Sequence, residues 1–174
     1  TIAGLWKGLK DLYAIGFIDR LPRLISAQAE GCCPLNRAIM ENKPWHPMEE
    51  NTLADSIAVG VPRNADKALM AIRESNGLVV NVSDEEIMAA QKLLGRTCGV
   101  FGEPAGVTGT AGVKKLCEQG VLPKDATVVS VVTGNGLKDV ANAIKACGEP
   151  ISIPSDMDLL LRAFDEHGIN ADVK

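Results

Sequence analysis

With 174 residues, 46% of them hydrophobic, and a mean hydropathy near zero, the chain carries enough apolar side chain for the core of one domain, or the larger part of a split one. Its net charge of −4 comes from well-mixed signs without a basic stripe, and aromatics make up only 3%, so nucleic acid is not an expected partner. No apolar run approaches the ~20 residues that cross a bilayer, and the N-terminus reads without a signal-like pattern, so no membrane partner is expected either.

In chain order, Ile2, Leu5, Trp6, Leu9, Leu12 and Tyr13 recur at helical spacing and Gly16 ends the run, which predicts a helix over 2–15. Residues 23–30 read as a short strand. Pro34 suits the first turn of a helix through about Met40, and the proline-bearing stretch from Glu41 to Asn51 reads as a loop. A helix over 65–75 stops at Asn76-Gly77, and the β-branched LVVNV of 78–82 follows as a strand. Ser83 and Glu86, three apart, form a capping box that opens the next helix, because each side chain satisfies a free backbone amide. A further helix covers 104–119. TVVSVV at 127–132 is almost wholly apolar and predicts a strand buried on both faces. Helices over 138–147 and 156–167 close the chain, separated by a hinge at Pro150 and Pro154.

Strands alternate with helices at intervals long enough for crossovers, which predicts an α/β fold, a parallel sheet with helices on both faces. The scarcity of aromatics fits that architecture, since Val, Ile, Leu and Ala let layers approach closely.

Three segments bear on chemistry. TVVSVVTGNGLKD, from Thr127 to Asp139, places Thr133, Gly134, Asn135 and Gly136 at the carboxyl end of the predicted strand, where α/β sheets bind ligands. Its glycines admit backbone close to a ligand and Thr133 offers a short, stiff hydroxyl; a plain strand-to-helix turn fits the same spacing equally well. FGEPAGVTGTAG, from Phe101 to Gly112, spaces Gly106, Gly109 and Gly112 by three, which suits a helix packed tightly on a sheet better than a phosphate loop. Glu103 before Pro104 reads as a solvated cap near the positive helix end, and Lys138 as a surface lysine. The run ENTLADSIAVGVPRNADKAL, 50–69, names no chemistry. His46 and His167 stand without partner clusters and read as surface residues. Five cysteines without CxxC spacing point away from a disulfide framework or a zinc site, and a cytoplasmic location is expected.

Taken together, TIAGLWKGLKDLYAIGFIDRLPRLISAQAEGC (1–32), TLADSIAVGVPRNADKAL (52–69), SDEEIMAAQKLL (83–94), GVFGEPAG (99–106) and VVTGNGLKD (131–139) resemble the threonine synthase family in the order that family shows. These are fold-type-II enzymes dependent on pyridoxal phosphate (PLP), with a tryptophan synthase beta-like fold. The EPAG segment is shared widely among fold-type-II enzymes, whereas TGNGLKD with the TLA stretch upstream is more particular to threonine synthases.

The resemblance implies conversion of O-phosphohomoserine and water to threonine and phosphate. It also implies that residues 1–174 are the C-terminal part of the catalytic fold, with 148–174 a terminal helical tail. The lysine that holds PLP covalently, and the glycine-rich phosphate loop, would lie before Thr1. The resemblance assigns Thr133 to the pyridine nitrogen of PLP, and Thr1 to the start of a helix facing the cofactor phosphate. No catalytic or metal-ligating residue is expected within 1–174, and PLP is expected in the full-length enzyme but not on this chain alone. The start at Thr1, without methionine and almost inside a helix, suggests a shortened product. The alternatives are a non-catalytic dimerising domain or part of another fold-type-II enzyme such as threonine dehydratase. A homo-oligomer is expected in either case.

Overall fold

The computed structural model describes residues 1–153 and 155–169. Pro154 of the expected hinge, and the end of the expected tail from 170 to 174, lie outside the described residues.

The elements run α1 (Ile2–Ala14), β1 (Ile25–Ala29), α2 (Pro34–Glu41), α3 (Ala65–Glu74), β2 (Leu78–Val82), α4 (Asp84–Cys98), α5 (Pro104–Glu118), α6 (Val140–Cys147) and α7 (Met157–Glu166). Single 3₁₀ turns occupy Asp55–Ile57 and Gly136–Lys138. Strands β1 and β2 pair in parallel, with Ile25 beside Leu78, Ala27 beside Val80 and Ala29 beside Val82. A parallel pair needs a crossover, and α2 and α3 supply it.

Alternation along the strands sends two different surfaces to the two faces. Ile25, Ala27, Ala29, Leu78, Val80 and Val82 build the main core with Ile87 and Ala90 of α4 and Val107, Ala111 and Leu116 of α5. The opposite face is polar and is closed by Asn36 of α2, which is fully buried. Its Nδ2 donates to the carbonyls of Ser26 and Val80 at 3.1 and 2.9 Å and to Asn81 Oδ1 at 2.8 Å. Its Oδ1 accepts from the Ser26 hydroxyl at 2.7 Å, and its amide donates to Gln28 Oε1 at 2.9 Å. A buried amide is tolerated because it is satisfied from all sides. Helices therefore cover both faces of the parallel pair, as the alternation of elements predicts.

Helix α5 lies directly on the apolar face. A Cβ at Gly112 would stand 2.8 Å from Val80 Cγ1 and 2.9 Å from Ala27 Cβ, so only glycine permits this approach. The expected tight packing of this helix on a sheet is what the structure shows. Helix α1 packs on α3 through Trp6, whose indole donates to Glu74 at 2.6 Å while Lys10 reaches the same oxygen at 3.0 Å. The indole bond, with Lys10, holds the Glu74 carboxyl below its usual range.

The capping box forms as expected: the Ser83 hydroxyl accepts from the Glu86 amide, and the Glu86 carboxylate from the Ser83 amide at 2.7 Å. Glu86 also binds Lys115 of α5 at 2.9 Å, and Lys115 reaches Glu30, just past β1, at 3.2 Å. One lysine thus ties α5 to α4 and to the end of β1. Partial burial pulls the Glu86 carboxyl upward, but hydrogen bonds from Lys115 and the Ser83 amide outweigh it and leave the carboxyl lowered. Its hydrogen bond to Glu86 raises Lys115 against desolvation.

Residues 127–132 correct an expectation. The segment forms no regular element and pairs with no strand among the described residues, and Val129 and Val131 are 85% and 58% exposed. A strand buried on both faces needs neighbours along its edges and cover above and below; here only Val132 is packed against the main core, and residues 127–131 are exposed. The last helices begin slightly later than expected, because the side chains of Asp139 and Asp156 accept from amides of the following first turns and so fix the starts of α6 and α7.

Two outcomes check this packing. Gly112→Val should destabilise the chain by about 1–3 kcal/mol through overpacking, whereas Gly8→Ala in α1, with nothing within 4 Å of the new methyl, should gain up to ~1 kcal/mol of helix propensity. Urea denaturation reads both. The stability from Glu86 is complete above about pH 4.3 and is lost as pH falls through its lowered folded value. That from Lys115 is complete below about pH 10.4 and is lost as pH rises through its raised folded value. Glu86→Gln should therefore flatten the acid limb of the urea midpoint against pH. Its cost at neutral pH should stay under about 1 kcal/mol, since Glu86 is more than a third exposed.

Candidate functional site

The TGNG loop is held by a short antiparallel match to the segment that opens α5. The Glu103 amide donates to the Gly134 carbonyl at 2.9 Å and the Gly136 amide to the Phe101 carbonyl at 2.8 Å, with Gly102 bridged to Asn135. Gln91 of α4, fully buried, donates to the Gly102 carbonyl at 2.8 Å and so anchors this match from beneath. Asn135 closes the loop by accepting from the Leu137 amide at 2.9 Å, which starts the 3₁₀ turn.

Glycines are required here by proximity. A Cβ at Gly106 would meet the Gly134 amide nitrogen at 2.9 Å and the Thr133 nitrogen at 3.3 Å; one at Gly134 would overlap the Glu103 carboxylate. The glycine at 134 therefore serves close approach of chain to chain, and Thr133 is carried exposed at the rim.

Glu103 departs from the expected solvated cap. It is 7% exposed and makes no capping hydrogen bond with its side chain. Its carboxylate turns under the loop and pairs with Lys138 at 3.2 Å. Lys138 is exposed, as expected of a surface lysine, yet it is a cationic partner of this buried carboxylate. Beside the pair, Leu53, Asp55, Ser56, Asp139 and Asn142 complete a cleft of about 300 Å³. Asn142 Nδ2 donates to Asp139 at 2.7 Å and to the Leu53 carbonyl at 3.4 Å. A larger depression of about 440 Å³, between Asn42–Trp45 and α3, lies apart from the loop and shares no residue with this cleft.

Thr1 occupies the N-cap of α1 and makes no capping bond with its side chain. Its carbonyl accepts from Leu5 at 3.0 Å, and the amides of the first turn remain available to an anion. Among the described residues no hydrogen bond joins Thr1 to Thr133 or engages the Thr133 hydroxyl, so the structure leaves both open. The donor set suits PLP at two points: free helix amides for a phosphate and a free hydroxyl for a ring nitrogen. Lys138, the lysine nearest the loop, is engaged with Glu103.

Sequence reading missed Gln91 and the burial of Glu103. The first left a trace, since Gln91 sits four residues after Ile87 on the stripe that Ala90 and Leu94 continue, and a lone polar residue on such a stripe needs a buried partner. The second left none, because burial of Glu103 depends on a loop more than thirty residues away.

The protein family described as "Pyridoxal-phosphate dependent enzyme" matches residues 1–134, and the chain belongs to that family. The threonine synthase of Methanocaldococcus jannaschii is 44% identical over 168 residues, covering 95% of this chain and 42% of the relative. That of Methanosarcina acetivorans is 43% identical over 166 residues, covering 94% of this chain and 41% of the relative. The chain thus spans about 42% of the length of the curated relatives it matches. Among solved structures, maize serine racemase superposes with a TM-score of 0.60 at 19% identity, over 95% of this chain and 44% of that one, which supports the shared fold.

The role of the ion pair is open to measurement. Lys138→Met should cost about 1–2 kcal/mol by leaving the buried carboxylate unpaired, and adding Glu103→Gln should recover most of that loss. A double-mutant cycle in urea reads the coupling, and an uncoupled pair would return additive costs.

Proposed function

We propose that this chain is the C-terminal part of a threonine synthase, which converts O-phosphohomoserine and water to threonine and phosphate with PLP. The observation that carries this reading is 44% identity to a threonine synthase across 95% of the chain. Thr133 and the helix start at Thr1 lie within the residues matched to the PLP-dependent family. On this reading 148–174 is a terminal tail beyond the family's matched region, which ends at residue 134, and α7 is the helix of its described part.

PLP supplies the electron withdrawal that lets a proton leave carbon next to the substrate's amino group. The residues of this chain contribute binding and orientation. The Thr133 hydroxyl would hold the pyridine nitrogen as a neutral donor, which would moderate the cofactor's electron withdrawal. The first-turn amides of α1, after Thr1, would hold the cofactor phosphate through their free N–H groups and the positive helix end. Glu103 and Lys138 keep the loop's underside closed and so fix where Thr133 stands.

The same reading places the enzyme in the cytoplasm. All five cysteines are free, and burial pushes the Cys32 and Cys33 thiols up, which keeps them protonated and inert. No helix among the described residues is long and apolar enough to cross a membrane. Exposed Leu5, Leu12, Tyr13, Ile15 and Phe17 along and just beyond α1 favour association into a homo-oligomer.

The 174-residue chain alone should release no phosphate from O-phosphohomoserine, since the cofactor's lysine is assigned to the part before Thr1. Phosphate release by a sample free of longer protein would contradict the proposal. In the complete enzyme, Thr133→Val keeps shape and removes the donor, so PLP affinity or turnover should fall about tenfold to a hundredfold, corresponding to roughly 1–3 kcal/mol. Cofactor binding and turnover at the wild-type level would remove Thr133 from its role.

A further inference from the structure

Glu103 is a costly filler for the space beneath the TGNG loop. Its carboxylate is buried and caps nothing, and a methyl on Gly134 would overlap its Oε1. Neighbouring Cα atoms stand about 3.8 Å apart, which puts that oxygen within about 8 Å of the Thr133 Cα. Packing alone asks for no charge there, because an uncharged side chain of the same shape fills the space without desolvating an ion. Among the described residues one side chain bonds this carboxylate: Lys138, 3.5 Å from Oε1 and 3.2 Å from Oε2. The other charged groups of the cleft are occupied differently. Asp139 accepts from the amide and Nδ2 of Asn142 at 3.1 and 2.7 Å, and exposed Asp55 accepts from the Ser56 hydroxyl at 3.1 Å.

A charge this near to a ligand-orienting hydroxyl bears on what that hydroxyl can do. Thr133 is exposed, and its hydroxyl can donate or accept. To an unprotonated ring nitrogen it donates, whereas a protonated ring nitrogen is itself the donor and turns the hydroxyl into an acceptor. A lone anion nearby favours the protonated form. At roughly 10 Å, in partly solvated surroundings, that preference is about a three- to tenfold rise in proton affinity. A cation bound to the same carboxylate leaves a pair of zero net charge, whose field falls off much faster. The loop supplies both parts: it carries Thr133, and the 3₁₀ turn that Asn135 starts carries Lys138.

We infer that Lys138 is a positioning residue that acts by charge: by cancelling Glu103 it keeps a ring nitrogen held at Thr133 unprotonated, and so keeps the Thr133 hydroxyl a donor. This deepens the reading of Thr133 given above and rests on it. The pair then acts through its net charge, and the shape of either side chain is secondary.

The test uses the complete enzyme loaded with pyridoxal phosphate that carries nitrogen-15 in its ring. The chemical shift of that nitrogen reports its protonation without reference to turnover. At one fixed pH, Lys138→Met should raise the ratio of protonated to unprotonated nitrogen about three- to tenfold. Glu103→Gln should lower it, and the double variant and Lys138→Arg should both show the wild-type ratio. A pair that only holds the loop together would give ratios that follow the urea midpoints of the same samples and not the charge. A wild-type ratio in both Lys138→Met and Glu103→Gln overturns the inference. If Lys138→Met sheds the cofactor, Glu103→Gln decides alone, and a ratio at or above the wild-type value overturns the inference. Thr133→Val with wild-type cofactor affinity and nitrogen ratio overturns the reading of Thr133 and this inference together. An enzyme that shows the charge order but makes no threonine overturns the threonine synthase proposal and leaves this inference standing.

Discussion

The structure depends on how closely α5 can approach what lies beneath it. A helix with ordinary side chains stands roughly 10 Å from a sheet, and the glycine face of α5 removes the atoms that would hold it off. Gly112 brings it onto Val80 and Ala27; Gly106 brings the same helix onto the backbone of Thr133 and Gly134. Sheet and loop are therefore located by one rigid body. The apolar core around Val82, Ile87 and Val107, the Lys115 link to Glu86 and Glu30, and the Gln91 anchor all serve to fix that body in place.

The loop inherits its rigidity from this arrangement. Its backbone is matched to residues 101–103, its underside is occupied by the Glu103 carboxylate, and Lys138 supplies the counter-charge at the surface. A carboxylate that is 7% exposed is costly without a partner, so the pair fixes the geometry of the turn more than it adds to stability. The result is an exposed threonine at the head of a loop whose backbone is fixed, which is the arrangement a ligand-orienting group needs. Membership of the PLP-dependent family gives that hydroxyl a context, and the threonine synthase proposal gives it a partner.

Much of this was legible in the sequence because the signals are local. The Ser83–Glu86 capping box, Pro34 and Pro104 at helix starts, and Gly77 before β2 depend only on neighbours a few residues away. The triple-glycine spacing in α5 was readable as close packing, since periodicity exposes which residues share a face. The motifs that identify the family were equally plain. What could not be read was anything set by distant chain. TVVSVV has the composition of a central strand, and composition states what environment a segment suits, not whether neighbours are there to provide it; Val129 is 85% exposed. Glu103 was misread for the same reason in reverse, because the loop that buries it arrives from residues 133–138.

The most direct test of the central claim is the mass and sequence of the native polypeptide that contains Thr1. The account predicts a longer chain, with a glycine-rich loop immediately before Thr1 and, further upstream, a lysine that carries PLP and gives the protein visible absorbance. A native polypeptide that begins at Thr1 and binds no PLP would contradict it.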